Sequence, residues 1–207
     1  MTCLQDDPRD YLALIERDVA GLRLARTGDF GYGKRFYVAE TPAVIDTIYR
    51  TAAHLCDLGV LLEAVDRLFE PPFWAGNRWT ASDVAVNSDY LLGMEPPTRD
   101  EIASARDIRE KIWTMFREIT ASSGFIVTPT TLEIAPTRRE WRDNGITEDF
   151  SGPFLAMTAV ANLLGWPALT VPAGFVNGMP VGLQIIGRPD SEPKMFQLAQ
   201  AITAVQQ

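Results

Sequence analysis

An α/β layered fold is predicted for these 207 residues from three observations. Short apolar strand patterns alternate with stretches of helical periodicity. Hydrophobic residues make up 46% and charged residues 22% of the chain, the balance of a globular protein rather than of a disordered or fibrous one. The charge is also unevenly spread. Residues 153 to 187 carry none, and beyond them only Arg188, Asp190, Glu192 and Lys194 are charged, so the net charge of -8 lies entirely in residues 1 to 152. A stretch so poor in Asp, Glu, Lys and Arg is expected to be covered on both faces, which makes the last quarter of the chain core.

Taken in order, Gly21 to Arg26 reads as a strand, followed by a glycine-rich loop from Gly28 to Tyr37. Thr41 caps a helix with Pro42 in its first turn and Val44, Ile45, Ile48, Ala52 and Leu55 on its apolar side, and Gly59 stops it. Val60 to Val65 is the next strand, and Phe69 to Trp79 an aromatic loop. Thr98 and Glu101 have capping-box spacing before a helix to about Ala121, with Ile102, Ala105, Ile108, Ile112, Met115, Phe116 and Ile119 as its stripe. Phe125 to Thr128 is a compact strand ended by Pro129, and Thr130 to Glu148 a polar excursion. Pro153 to Leu164 is expected as a buried helix closed by Gly165. Ala168 to Val171 and Val181 to Ile186 are strands flanking an Asn177-Gly178 turn. Ser191 caps a last helix with Phe196, Leu198, Ala199, Ile202 and Val205 on its apolar side.

Several function classes are excluded or weakened by composition. The 19 basic against 27 acidic residues are the wrong balance for a polyphosphate partner, so nucleic acid is not expected. Cys3 and Cys56 have no metal or redox spacing, which fits a reducing cytoplasm, and the single histidine, His54, rules out histidine-rich metal sites. No cofactor is implied. The N-terminus lacks the basic and apolar regions of a secretion signal, and the uncharged stretch is broken by Gly165, Pro167, Pro172, Gly174, Gly178 and Pro180, so no membrane span is expected.

Isolated motifs are weak. Gly28 to Lys34 has P-loop spacing but continues with Arg35 where a magnesium-binding Ser or Thr belongs. Ser191 to Lys194 matches S-x-x-K without its partner motifs, and the serine sits where a helix cap belongs. Ser122 and Ser123 have no base nearby in the sequence and read as the end of a helix. His54 reads as a residue at the edge of its helix's apolar face. Phe69, Phe73, Trp74 and Trp79 serve either packing or stacking on a ligand.

The segment Phe125-Ile-Val-Thr-Pro-Thr-Thr131, the run Asn162-Leu-Leu-Gly-Trp-Pro-Ala-Leu-Thr-Val-Pro-Ala-Gly174 and the run Gly178-Met-Pro-Val-Gly-Leu-Gln-Ile-Ile-Gly187 together resemble the C-terminal part of amidase signature enzymes. The tail from Arg188 to Phe196 fits too, and residues 6–66 look like the family's linking strand-helix-strand region. The resemblance implies α/β/α layers on a mixed sheet, with residues 1–207 forming the C-terminal portion of one domain and 98–207 its C-terminal core. It also implies hydrolysis of carboxylic amides by a Ser, a cis-Ser and a Lys. None of the three lysines, Lys34, Lys111 and Lys194, precedes the family's Gly-Ser-rich signature. The chain is therefore expected to begin after the catalytic half and to be inactive alone. A small-molecule amide as substrate of the complete enzyme follows as an expectation, with two alternatives, one half of a split amidase whose partner is a separate N-terminal half and a non-catalytic remnant, and with self-association left open.

Two further readings concern residues. Gln184 is polar within an apolar strand and must find a partner. At Leu155 the resemblance places an aspartate in the glutamine-using members, so a glutamine amino group would lack its counter-charge here. Thr130, Thr131, Phe154, Leu155, Met157, Thr158 and Trp166 are the candidate pocket residues for a less polar amide, a core role being equally compatible with the apolar ones.

Overall fold

The computed structural model of the chain describes residues 10–15, 18–28, 30, 36–65, 98–144 and 153–204. Most of the loop between Gly28 and Phe36, the aromatic cluster from Phe69 to Trp79, Val205 and the side chains of Glu101, Ala105 and Ile108 lie outside the described residues. The elements are α1 (Tyr11–Ile15), β1 (Arg23–Arg26), α2 (Thr41–Asp57), β2 (Leu61–Ala64), α3 (Arg99–Ser123), β3 (Phe125–Pro129), α4 (Arg138–Asn144), α5 (Ala159–Leu164), β4 (Ala168–Val176), β5 (Met179–Gly187) and α6 (Glu192–Ala204).

The strands form one mixed sheet in the order β2-β1-β3-β5-β4. β1 runs parallel to β2 and β3, whereas β5 runs antiparallel to β3 and β4. Alternate side chains point to opposite faces. One face meets α2 and α6, where Val44, Ile48, Ala52, Leu55, Leu198 and Ile202 pack on Leu24, Val127, Leu183 and Ile185. On the other, Ile112 and Phe116 of α3 and Val160 and Leu164 of α5 pack on Ala25, Ile126 and Ile186. The result is the α/β/α arrangement, and β3, buried at every position, is its centre. Arg188 fastens β5 to the end of α3 by donating to the Thr120 hydroxyl (2.8 Å) and the Arg117 carbonyl (2.6 Å). Arg109 of α3 donates to the Leu163 carbonyl at the end of α5 (2.8 Å).

Several element ends differ from the sequence expectation. Thr41 is the first helical residue rather than the cap, and its hydroxyl accepts from the Val38 N–H (2.9 Å). Ser191 precedes α6, but its hydroxyl donates back to the Arg188 carbonyl instead of capping. Phe196 is partly exposed while Met195 and Gln197 are buried, and Gln197 donates to the Leu14 carbonyl (2.8 Å). The polar excursion contains α4, started by a reciprocal capping box: the Glu140 N–H donates to the Thr137 hydroxyl (3.2 Å), and the Thr137 N–H to the Glu140 carboxylate (2.8 Å).

Both hairpin strands are longer than expected. Asn177 and Gly178 have positive φ (51° and 78°), the two-residue geometry that matches strand twist. Pairing starts there at Val176 opposite Met179 and continues to Ala168 opposite Ile186, with one register shift between Pro172 and Gly174. In that bulge the Ala173 carbonyl accepts from the buried Thr51 hydroxyl of α2 (2.7 Å). The helix expected from Pro153 is also shorter. Residues 153–155 form a helical turn, 156–158 a separate turn, and α5 begins only at Ala159 and ends at Gly165 in the left-handed conformation (φ 67°).

Candidate functional site

On the face covered by α3 and α5, apolar Ile126 and Ile186 give way along the sheet to polar side chains. Thr128 of β3 pairs with Gln184 of β5, and Gln184 with Thr170 of β4, so three polar residues lie side by side across three strands. Thr130 follows two positions beyond Thr128 on the same face. The Thr128 hydroxyl donates to the Pro129 carbonyl (2.9 Å) and accepts from Gln184 Nε2 (3.1 Å). The partner required for Gln184 is thus present, together with a second, the Met157 carbonyl at 3.1 Å.

At the exit of β3 the Thr130 N–H donates to the Gly182 carbonyl (2.8 Å), and the hydroxyls of Thr130 and Thr170 lie 3.1 Å apart. Gly182 leaves the space they occupy: a Cβ there would stand 2.7 Å from Thr170 Cγ2 and 2.9 Å from Thr130 Oγ1. The Thr131 hydroxyl closes the next turn on the Glu133 carbonyl (2.8 Å), and the Leu132 N–H donates to the Pro153 carbonyl (2.8 Å). That bond brings the second group of candidates beside the first. Phe154 packs edge-on to Trp141 (6.1 Å between centroids), Leu155 is 48% exposed, and the Thr158 hydroxyl donates to the Leu155 carbonyl (3.2 Å).

Met157 and Trp166 stand differently. Met157 is fully buried beneath this segment, and Trp166 is buried against Phe116 (6.0 Å, edge-on), farther along the core. The structure therefore gathers Thr130, Thr131, Phe154, Leu155, Met157 and Thr158 into one neighbourhood, with Trp166 in the core beside it. Thr128, Thr170 and Gly182 also belong there and were not singled out as site residues from the sequence; the alternation of Thr128 with Thr130 was the available clue.

Thr170 and Leu155 are exposed here and Thr130 is half-buried, while the Thr128 hydroxyl and the Met157 carbonyl belong to fully buried residues and are spent on Gln184. The other hydroxyl candidates are turned elsewhere: Ser122 and Ser123 donate to the Ile119 carbonyl at 3.2 and 2.7 Å. Lys111 pairs with Asp107 on the solvent side of α3 (2.7 Å). Among the described residues no helix is long and apolar enough to cross a membrane.

Glu133, next to the site, has its carboxyl raised above the ordinary value by burial first and then by the charges of Glu40 and Glu140. A folded pKa above the unfolded one means that the native state holds the proton more tightly. Stability from that proton is complete below the unfolded pKa and is lost as pH rises through the folded one. Glu133→Gln is therefore expected to stabilise the chain near neutral pH by up to about 0.5 kcal/mol, solvent screening included. The gain should fade towards about pH 4. Thermal unfolding at both pH values measures it, and a variant no more stable than the parent at neutral pH would refute it.

The family model described as amidase matches residues 92–196. A glutamyl-tRNA(Gln) amidotransferase subunit from Lacticaseibacillus casei is 38% identical over 236 aligned residues, covering 94% of this chain and 47% of that protein. A fatty acid amide hydrolase from Medicago truncatula is 38% identical over 108 residues, 51% of this chain and 18% of that protein. Among solved structures, 6-aminohexanoate cyclic dimer hydrolase superposes with a TM-score of 0.71 at 18% identity, over 99% of this chain and 49% of that one. The last is a likeness of fold. The chain spans about half the length, or less, of the curated relatives it matches.

Proposed function

The chain belongs to the amidase family, and on that footing we propose that it supplies the sheet and substrate wall of an enzyme that hydrolyses carboxylic amides. In this reading the serine nucleophile, cis-serine and lysine come from an N-terminal amidase half outside these 207 residues. The serine attacks the amide carbonyl while its proton passes through the cis-serine to the lysine and on to the amine that leaves as the C–N bond breaks; water then releases the acid from the acyl-serine, and backbone N–H groups hold the oxyanion. The observation that carries the reading is the exit of β3, where the family's T-P-T residues meet segment 153–158 over the Thr128–Gln184–Thr170 row. Thr130 and Thr170 bond the polar part of the substrate, and Leu155 meets its apolar part. A half-exposed leucine at that position supports an amide lacking a positively charged amino group, because an ammonium desolvated against an alkyl side chain has no counter-charge.

The test is to express the chain alone and together with an N-terminal amidase half bearing the Gly-Gly-Ser-Ser-Gly region, then assay aryl and aliphatic amides. Alone it should show only background turnover. The pair should exceed background by about 10³-fold or more, with replacement of the partner's serine abolishing the gain. Hydrolysis by the repurified chain alone would overturn the division of labour. A well-folded pair that never turns over any amide would favour a non-catalytic role.

A further inference from the structure

We propose that Gln184 is a positioning residue for the substrate wall: its side-chain amide holds segment 153–158 against the sheet and so sets where Leu155 and Thr158 stand. The functional part of this inference rests on the reading of that segment as substrate wall. Gln184 is buried to 3% exposure among apolar neighbours, where an unpaired amide is costly and a leucine would pack without that cost. The Nε2 group has two N–H donors, and its two partners belong to different parts of the fold. One is the Thr128 hydroxyl of β3 and the other the Met157 carbonyl, each at 3.1 Å and each on a fully buried residue.

The second bond falls where regular structure is interrupted. Residues 156–158 form a turn between a helical turn and α5, so their place cannot come from a continuous helix. The segment is tied to the sheet side at two points. The Leu132 N–H takes the Pro153 carbonyl at its start, and Gln184 takes the Met157 carbonyl near its end. Leu155 lies between them, and the Thr158 hydroxyl closes the turn on the Leu155 carbonyl. The rest of α5 has its own anchors in buried Val160, Leu163 and Leu164 and in the Arg109 bond to the Leu163 carbonyl. Loss of the Gln184 amide should therefore loosen the wall and spare the fold.

Gln184→Leu removes both donors, and Gln184→Glu replaces them by a carboxylate that donates only when protonated. Hydrogen exchange of the full chain reads the wall through the Leu132 amide, with the β3–β5 amides as internal reference. In Gln184→Leu, Leu132 should exchange about tenfold faster while the reference amides keep their rates. In Gln184→Glu, the protection of Leu132 relative to the reference should return as pH falls, because burial raises the folded pKa of the new carboxyl and its neutral form regains one donor. This second variant decides the matter even where the first fails to fold. Unchanged protection of Leu132, protection lost equally throughout the sheet, or a Gln184→Glu ratio indifferent to pH would each overturn the proposal.

In the enzyme assembled with an N-terminal half, a displaced wall should raise KM about tenfold and leave kcat within about threefold. A purely structural residue would instead lower the active fraction, giving reduced kcat at unchanged KM, and that outcome would reject the positioning role. If the assembled wild type hydrolyses no amide, the proposed function fails, while hydrogen exchange still decides whether Gln184 fixes the segment.

Discussion

Phe116→Ala is expected to remove about 3–5 kcal/mol of stability, a large share of what a domain of this size has. Phe116 is fully buried on α3 and touches Phe30 on one side (5.6 Å between centroids) and Trp166 on the other (6.0 Å, edge-on). Its ring joins α3 to the stretch after α5. Truncation loses the transfer energy of the ring and leaves a cavity between two large, stiff groups that cannot collapse into it. Urea unfolding should show a lower midpoint at an unchanged slope, and Trp166 should report a looser environment before global unfolding. A loss below about 1 kcal/mol would mean that the site collapses and that this core is less tightly packed than its geometry indicates.

Gly182→Ala is expected to be the second most damaging change, at about 1–3 kcal/mol, although it adds one methyl group. That methyl would stand 2.7 Å from Thr170 Cγ2 and 2.9 Å from Thr130 Oγ1. Threonine is branched at Cβ and restricted in χ1, so neither neighbour yields cheaply. The two hydroxyls must separate, which breaks their 3.1 Å contact and alters the polar surface at the exit of β3. Thr170→Ser removes the nearer methyl and should recover about half of the loss. The double-mutant cycle of these two changes measures the coupling, and additive effects would show that the clash is relieved elsewhere.

The fold was legible wherever local pattern and tertiary packing agree. The stripe of α2, the apolar run of β3 and the Asn177-Gly178 turn all lie where periodicity and turn chemistry place them. Strand ends were not, because Pro172, Gly174 and Pro180 read as breakers, whereas a bulge and a strand terminus accommodate them in the hairpin. The helix expected from Pro153 illustrates the reverse: apolar spacing favours it, but the stretch breaks at 156–158, where a side chain 27 positions along the chain takes the Met157 carbonyl. Helix α4 is different again, since the Thr137 and Glu140 spacing that starts it repeats the Thr98 and Glu101 signal and could have been read.

The site was legible as a set of residue types and not as a place. Thr130 and Leu155 become neighbours through the backbone bond from Leu132 to Pro153, and a backbone bond leaves no trace in side-chain identity. Nor does sequence distinguish Leu155, exposed, from Met157, buried two residues later; that depends on which way the turn faces the sheet.

The bulge between Pro172 and Gly174 has a consequence for solubility. Strand β4 is the last of its side of the sheet among the described residues, and such a border offers backbone groups to any other extended chain. Here the offer is incomplete. Pro172 has no N–H, and the Ala173 carbonyl already holds the Thr51 hydroxyl. A second molecule approaching this border would find its ladder interrupted in the middle, so the same irregularity that bends the strand discourages copies of the chain from pairing edge to edge.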